Sequence, residues 1–182
     1  MRFRSCNPCP ASPLLRGDRV TLRTVENDDA DIELFQRVYN DLDFREELLF
    51  RYPRSREEIE SLVENAGEND DRLDLLACVN EGPVGLVRLF DLRHSDHATL
   101  AYWLLPDYRG VGYGTEAAAL VIDHTLRTLG LHRVLAWTIG YNEASQALLR
   151  RLGFTREGTF REHVFNAGEY HDTEHYGLLA SG

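Results

Sequence analysis

The chain has 182 residues, of which 43% are hydrophobic, and a formal net charge of −10. This length suits one domain with its own core, and no apolar run approaches the roughly 18 residues that a membrane span requires. All twenty basic residues are arginine, and they form no basic stripe of the kind that binds nucleic acid. Three cysteines are too few for a disulfide framework. We therefore expect a cytoplasmic chain with no nucleic-acid and no membrane partner.

The acidity of the chain has two explanations. Thirty acidic residues and no lysine are a bias of a whole proteome, typical of a salt-loving organism. In molar salt the Debye length is about 3 Å, so repulsion among carboxylates is screened. The alternative is that the acidity attracts a cationic acceptor. The acids are scattered along the sequence, which favours the halophilic explanation.

The N-terminal segment contains three prolines and predicts a flexible tail over residues 1–13. The remaining residues, 14–182, are predicted to form one domain. Cys6 and Cys9 have the C-x-x-C spacing of zinc ligands, but a structural zinc site needs four ligands. Cys78 is distant in the sequence and has no histidine beside it. No metal site is predicted.

In the first half of the chain, apolar residues at helical spacing alternate with strand-like runs. Ser55 and Glu58 form a capping box, and Asn80-Glu81-Gly82 is a hairpin signal. The predicted elements are a strand at Arg19 to Arg23, helices after Asp28-Asp29 and after Ser55, and strands at Leu73 to Val79 and Pro83 to Leu92.

The second half continues the alternation, with Gly130 and Gly153 predicted to end two helices. The predicted helices are Thr115 to Leu129 and Asn142 to Leu152, and the predicted strands are Ala98 to Leu105, Arg133 to Ile139, Phe154 to Arg156, His163 to Asn166 and Thr173 to Leu179. Helices that interrupt a mixed sheet indicate an α/β or α+β domain.

The most informative segment is Tyr108 to Glu116, which reads YRGVGYGTE between a predicted strand and a predicted helix. A glycine-alternating turn that opens into a helix directs backbone N–H groups and the positive end of the helix dipole at one point, which predicts a phosphate site. No lysine follows the glycines, as a P-loop requires, and their spacing does not fit a dinucleotide fold.

The segment Arg109 to Gly114 resembles the R/Q-x-x-G-x-G/A pyrophosphate loop of the GNAT superfamily of N-acetyltransferases. Downstream, Asn142-Glu143-Ala144-Ser145 and the run LGFTREG at 152–158 are similar to the N-x-x-S and L-G-F-x-x-E-G motifs of that family. The fuller pattern resembles the branch that contains the ribosomal-protein-alanine N-acetyltransferases. The similarity is strong over residues 97–178 and general over residues 14–96.

This resemblance implies a mainly antiparallel sheet in which two parallel strands splay apart, and acetyl-CoA as co-substrate. The pantetheine arm is expected along the first of these strands, where it would bond backbone groups of Trp103, Leu104 and Leu105. Asn142 is expected to orient that arm, or to cap its helix. The residues expected to grip the diphosphate are Arg109, Gly110, Val111, Gly112, Tyr113, Gly114 and Thr115.

The same resemblance implies direct attack of an amine on the thioester. The backbone N–H of Leu104 or Leu105 is the candidate oxyanion donor, and Ser145 is the candidate for assisting the sulfur. The general base is open, because Val164 and Thr99 stand where relatives carry acids. Glu162 is the catalytic candidate, with His163 and water as alternatives. Glu116 fits a first-turn helix acid better than a base.

We predict an N-acetyltransferase that acts on a primary amine, either a protein N-terminus or a small amine. The alternatives are a non-catalytic acetyl-CoA-binding regulatory module and an enzyme that uses a longer acyl donor. Coenzyme A release with a panel of amines separates catalysis from mere binding. Whether the chain forms a homodimer is left open by the sequence.

Overall fold

The computed structural model describes residues 13–66, 70–80, 82–92 and 96–180. The predicted flexible tail, with Cys6 and Cys9, lies outside these residues apart from Pro13. One eight-stranded sheet carries strands in the order β1-β2-β3-β4-β5-β6-β8-β7. The strands are β1 (Leu15–Arg16), β2 (Thr21–Thr24), β3 (Arg72–Val79), β4 (Gly82–Phe90), β5 (His97–Leu104), β6 (Arg133–Ile139), β7 (Thr155–Asn166) and β8 (Glu169–Leu179).

The strands pair antiparallel except for β5 and β6, which are parallel. The mixed, mainly antiparallel sheet predicted from the sequence is confirmed. The helices are α1 (Asp29–Asn40), α2 (Leu42–Glu47), α3 (Arg56–Glu64), α4 (Tyr113–Asp123), which continues as a π-helical segment His124–Thr128, and α5 (Glu143–Arg151).

Two hydrophobic cores lie on the two faces of the sheet. One includes Val121 of α4 and Leu149 of α5, packed with strand residues such as Leu89. The other includes Phe35 of α1 and Ile59 of α3. The predicted capping box holds: the Ser55 side chain accepts from the Glu58 N–H, and Glu58 accepts from the Ser55 N–H. Both faces of the sheet therefore carry helices, as the fold class requires.

Several predicted boundaries differ from the structure. Helix α4 begins at Tyr113 rather than Thr115, because Gly112 already caps it. The short strand β1 and helix α2 were not predicted, since two and six residues give too little periodicity. The segments predicted as Phe154 to Arg156 and His163 to Asn166 are one strand, β7, whose two bulges interrupt the period of two.

The β7–β8 hairpin was missed at its turn. Ala167 and Gly168 both have positive φ, at 49° and 92°, as a two-residue hairpin turn requires. Asn-Gly is the usual signal for such a turn, and here the first central position is alanine. The hairpin was therefore predicted only as separate strand segments.

Candidate active site

The glycine loop lies between the end of β5 and the start of α4. Gly110 and Gly112 have φ of +76° and +94°, a region in which a side chain is strained. Gly112 is the N-cap of α4, and no side chain caps this helix. The first N–H groups of α4 are thus left for a ligand, and their dipole favours an anion. A helix start of this kind is suited to an anion such as a phosphate group.

A cavity of about 360 Å³ opens beside this loop and is called the loop cavity below. Most of the residues predicted to bind the cofactor or to take part in catalysis line this cavity. They are Trp103, Leu104, Arg109, Gly110, Gly112, Gly114, Thr115, Asn142 and Ser145. Leu105, Val111 and Tyr113 are not among its lining residues. The structure therefore brings together the glycine loop, strand β5 and the N-terminus of α5, although Trp103 and Ser145 are more than 40 residues apart in the sequence.

Arg19 fixes the glycine loop from the far side, and sequence analysis gave it no such role. Its Nη1 donates to the carbonyl of Val111 at 2.9 Å, and its guanidinium lies 5.2 Å from the centre of the Tyr113 ring. The Glu116 carboxylate accepts from the backbone N–H groups of Arg19 and Val20 at 2.7 and 3.1 Å. A contact across nearly a hundred residues leaves no local sequence signal.

Glu116 has a structural role, in agreement with its interpretation as a first-turn acid. Burial alone would raise the pKa of this carboxyl, but the hydrogen bonds from the backbone N–H groups of Arg19 and Val20, and the Arg19 guanidinium, outweigh burial and lower its pKa. The charged carboxylate joins the start of α4 to the β1–β2 turn.

Strands β5 and β6 pair only at their beginning, where His97 to Thr99 face Arg133 to Leu135. Beyond Thr99 the strands separate, as the family resemblance implies. The Leu105 N–H donates to the Val84 carbonyl at 2.8 Å, so it belongs to the pairing with β4. Antiparallel pairing alternates, and a Cβ on Gly85 would lie only 2.3 Å from the Trp103 carbonyl oxygen. The backbone of Trp103 therefore faces β4 as well.

The backbone groups that face the gap between β5 and β6 are consequently those of Tyr102 and Leu104. The Leu105 N–H is paired with β4 and is therefore not free, and the period of two turns the Trp103 backbone the same way. Cofactor contact by these residues stays a prediction. Leu104 is retained, since its carbonyl already points away from β4 and accepts from Arg109 Nε at 2.8 Å. Of the two candidate oxyanion donors, only the Leu104 N–H faces the gap.

Ser145 and Tyr102 meet across this gap. Their hydroxyl oxygens are 2.8 Å apart and share a hydrogen bond. Burial raises the pKa of the Tyr102 phenol to about 12, although the hydrogen bond with Ser145 lowers it in part. Asn142 caps α5 by accepting from the Ser145 N–H at 3.0 Å. The capping role that sequence analysis left open for Asn142 is thus present. Tyr102 is a site residue that sequence analysis missed.

A second cavity of about 320 Å³ is also lined by Tyr102 and is called the sheet cavity below. It is lined by residues of β4, β5 and β6, including Arg88, Thr99 and Thr138. Residues that line both cavities are Glu47, Leu48, Tyr102, Trp103, Asn142 and Ser145. The two cavities therefore meet where β5 and β6 separate.

Neither Glu162 nor His163 is among the lining residues of the two cavities, although the His163 ring centre lies 6.3 Å from that of Trp137, which lines the sheet cavity. A bulge between Phe160 and Val164 breaks the pairing with β8, and Glu162 has a φ of +49°. Its N–H donates to the Asp172 carboxylate at 2.8 Å, and its side chain is among the lining residues of neither cavity. His163 Nδ1 shares a hydrogen bond with Thr173 Oγ1. The strand-face argument that related Glu162 to Val164 is lost with the bulge.

Glu47 joins the two cavities through a charged contact. Its carboxylate Oε1 lies 2.7 Å from Arg109 Nη1, and Arg109 also contacts the Leu104 carbonyl. Sequence analysis did not single out Glu47, because 62 residues separate it from Arg109. Thr99, at a position where relatives carry an acid, donates from Oγ1 to Asp91 at 2.8 Å.

Within the described part of the chain, no group of three or more histidine, cysteine, aspartate or glutamate residues could hold a metal ion. Cys78 is buried and is not in a disulfide. The helices of the described residues include none with the length and hydropathy of a membrane span.

Comparisons with known proteins agree with this geometry. A family model described as an acetyltransferase (GNAT) domain matches residues 19–155. The SPbeta prophage-derived uncharacterized N-acetyltransferase YokL of Bacillus subtilis (strain 168) is 27% identical over 164 residues, covering 89% of this chain and 90% of the relative. The [ribosomal protein uS5]-alanine N-acetyltransferase of Escherichia coli (strain K12) is 34% identical over 82 residues, covering 44% of this chain and 42% of that protein.

Among solved structures, spermidine N-acetyltransferase from Vibrio cholerae, crystallised in complex with CoA and spermine, has a TM-score of 0.81. The match covers 90% of this chain and 97% of that one at 20% sequence identity. At this identity the likeness establishes the fold alone.

Proposed function

This chain belongs to the GNAT family of acetyltransferases, and we propose that it moves an acetyl group from acetyl-CoA in the loop cavity to a primary amine in the sheet cavity. The observation that carries the proposal is that the two cavities meet at Tyr102 and Ser145, between strands that have separated. A donor in one cavity and an acceptor in the other would meet there, which is what direct transfer requires.

We propose that the glycine loop holds the diphosphate of acetyl-CoA through its backbone N–H groups. The positive φ of Gly110 and Gly112, and the absence of a side-chain cap at the start of α4, support this assignment. The gap-facing backbone of Tyr102 and Leu104 is suited to a pantetheine arm, which contains amide groups and can pair like a strand. Val111 and Tyr113 would act through the position of the loop.

Acetyl-CoA supplies a thioester, so the protein must stabilise a negative oxygen and a departing sulfur. We assign the first task to the Leu104 N–H, which faces the gap. The second falls to the Ser145 hydroxyl, supported by Tyr102 at 2.8 Å. A phenol with a pKa of about 12 keeps its proton at neutral pH, so it can donate to Ser145 whenever the serine gives up its own.

The amine must also lose a proton before it can attack. Glu162, His163 and water are the three candidate proton carriers. Neither Glu162 nor His163 lines the loop cavity or the sheet cavity, which favours water that reaches the amine through the open sheet cavity. Glu162 as a direct base stays a prediction.

The names of relatives support an acceptor class. One relative is named for the alanine of a ribosomal protein, and one structural neighbour for spermidine. Both acceptors are primary amines, and we propose the same class here, with a protein N-terminus and a small amine as its two forms.

The experiment is a panel of N-terminal peptides, polyamines and aminoglycosides, read by release of free coenzyme A and by the mass of the product. Transfer to one class names the acceptor. Coenzyme A binding without transfer to any of them would instead support the regulatory module. Replacing acetyl-CoA by longer acyl donors tests the alternative donor.

We further propose that the enzyme acts in the cytoplasm of a halophilic organism, supported by the three cysteines, the 30 acidic residues and the absence of lysine. Activity and thermal midpoint should both rise as KCl approaches molar concentration, because screening relieves repulsion among the acids. Full activity in dilute buffer would favour recruitment of a cationic acceptor. We also propose that the chain can form a homodimer, and light scattering, which gives the mass in solution, tests this.

A further inference from the structure

Arg109 contacts three parts of the active site at once. Its Nη1 is 2.7 Å from Glu47 Oε1, and its Nε donates to the Leu104 carbonyl at 2.8 Å. The guanidinium also lies 5.3 Å from the centre of the Phe44 ring. One side chain of the glycine loop thus reaches the gap-facing backbone of β5 and the end of α2.

Glu47 has a special position among the groups that line the sheet cavity. It is the one carboxylate among the described residues that line this cavity. The other charged side chain there, Arg88, is held by the buried carboxylate of Asp74 at 2.5 and 2.6 Å. The net charge that the cavity presents to an amine therefore depends on whether Arg109 neutralises Glu47.

The ion pair is built to exchange. Arg109 and Glu47 have side-chain exposures of 36% and 42%, and ion pairs of this exposure contribute little because water solvates both partners. A diphosphate offers a guanidinium more charge and more acceptor oxygens than one carboxylate does. Arg109 belongs to the loop that receives the diphosphate, so a small movement of its side chain suffices.

We propose that Arg109 couples the two substrate sites. Binding of coenzyme A draws Arg109 away from Glu47 and from the Leu104 carbonyl, and Glu47 then holds the ammonium group of the acceptor. The inference rests on the proposed function, because it uses the same loop and the same acceptor class. Acetyl-CoA and the amine therefore bind cooperatively, and by linkage each strengthens the affinity of the other by the same factor.

The test is a double-mutant cycle on acetyl-CoA affinity, measured by calorimetry for the wild type, Glu47→Gln, Arg109→Gln and the double variant. Glu47→Gln should bind acetyl-CoA about two- to fivefold more tightly, as expected for loss of an exposed ion pair that competes with the ligand. In the Arg109→Gln background the same substitution should have no effect.

The matched control is Glu46→Gln. It removes the same charge at the preceding residue, whose side chain lines neither cavity. A general repulsion between acids and the anionic ligand would make Glu46→Gln equal to Glu47→Gln, or would leave the Glu47→Gln effect intact without Arg109. Either result overturns the coupling, as does unchanged affinity in Glu47→Gln.

The acceptor side has its own measurement. With the amine that the panel identifies, Glu47→Gln should raise KM about tenfold or more and change kcat much less, because a charged hydrogen bond to the amine is lost. An unchanged KM overturns the role of Glu47. Absence of transfer by the wild type contradicts the proposed function, whereas the calorimetric cycle tests the coupling without any acceptor.

Discussion

The glycine loop and the β7–β8 hairpin lie on opposite sides of the splayed strands, and their backbones are held in different ways. The loop is fixed by two positive-φ glycines, by Arg19 on the Val111 carbonyl and by Glu116 on the β1–β2 turn. The hairpin contains two bulges and carries exposed aromatic side chains, including Phe160 and Phe165. The backbone of the loop is thus fixed by contacts from distant residues, whereas the hairpin combines an irregular ladder with exposed aromatic side chains.

The largest expected effect comes from the loop. Gly112→Val places a branched side chain at a φ of +94°, with its Cβ 3.0 Å from Arg19 Nη2. Strain of about 1–3 kcal/mol and the blocked approach to the helix N-terminus should together weaken acetyl-CoA binding at least about 100-fold in calorimetry.

The matched control on the hairpin is Gly158→Val. Nothing lies within 4 Å of a Cβ built at Gly158, and the residue belongs to strand β7. This variant should bind acetyl-CoA as the wild type does. Equal loss of affinity in both variants would remove the distinction between the two regions, and circular dichroism establishes that each is folded.

The second effect concerns the contact between β5 and α5, which lies outside both regions. Ser145→Ala and Tyr102→Phe should each lower kcat at least about tenfold, at the cautious end of what one proton-transfer contact contributes. Acetyl-CoA affinity should stay within about twofold, because the contact matters mainly in the transition state. The control is Tyr141→Phe, which removes the hydroxyl of an exposed tyrosine that accepts a hydrogen bond from the Asn166 side chain. Parallel losses of kcat and of affinity would indicate a structural role instead.

A smaller effect concerns pH and the hairpin. Burial, followed by the charge of nearby His163, lowers the pKa of His175 below its ordinary value of 6.5, although Glu174 acts in the opposite direction. The stability contributed by neutral His175 is therefore present above about pH 6.5 and is lost as pH falls through the lower folded-state value.

His175→Phe preserves an aromatic ring beside Phe160, whose ring centre is 3.8 Å from that of His175. The thermal midpoint of this variant should fall less between about pH 7 and about pH 5 than that of the wild type. Identical pH slopes in the two proteins would contradict the assignment.

The smallest expected effect is that of Glu162→Gln. Because the Glu162 side chain lines neither cavity, we expect kcat and its pH profile to change less than about twofold. A large loss of kcat together with loss of the rising limb of the pH profile would instead establish Glu162 as the base. The kinetic profile of this one variant thus decides whether the hairpin takes part in chemistry.

The parts of the fold and of the site that the sequence predicts are those determined by residues close together in the sequence. The glycine loop, the Asn142 cap and the Ser55 capping box need only local backbone geometry. Arg19, Glu47 and Tyr102 were missed because each acts through a partner more than forty residues away. The Leu105 N–H was expected to be free, but one step along a strand turns it to the opposite neighbour. Long-range pairing and strand register therefore limit what the pattern alone can predict.

The short pairing of β5 with β6 has a thermodynamic consequence. Among the described residues, the β5–β6 ladder has three residue pairs, and this short ladder joins the β1–β5 half of the sheet to the β6–β8 half. A ligand that contacts both β5 and α5 adds contacts between the two halves, so its binding energy becomes resistance to local opening. We expect hydrogen exchange at the amides of Tyr102 and Leu104 to slow markedly when coenzyme A is present. The donor substrate then serves as a bridging component of the sheet as well as a source of acetyl groups.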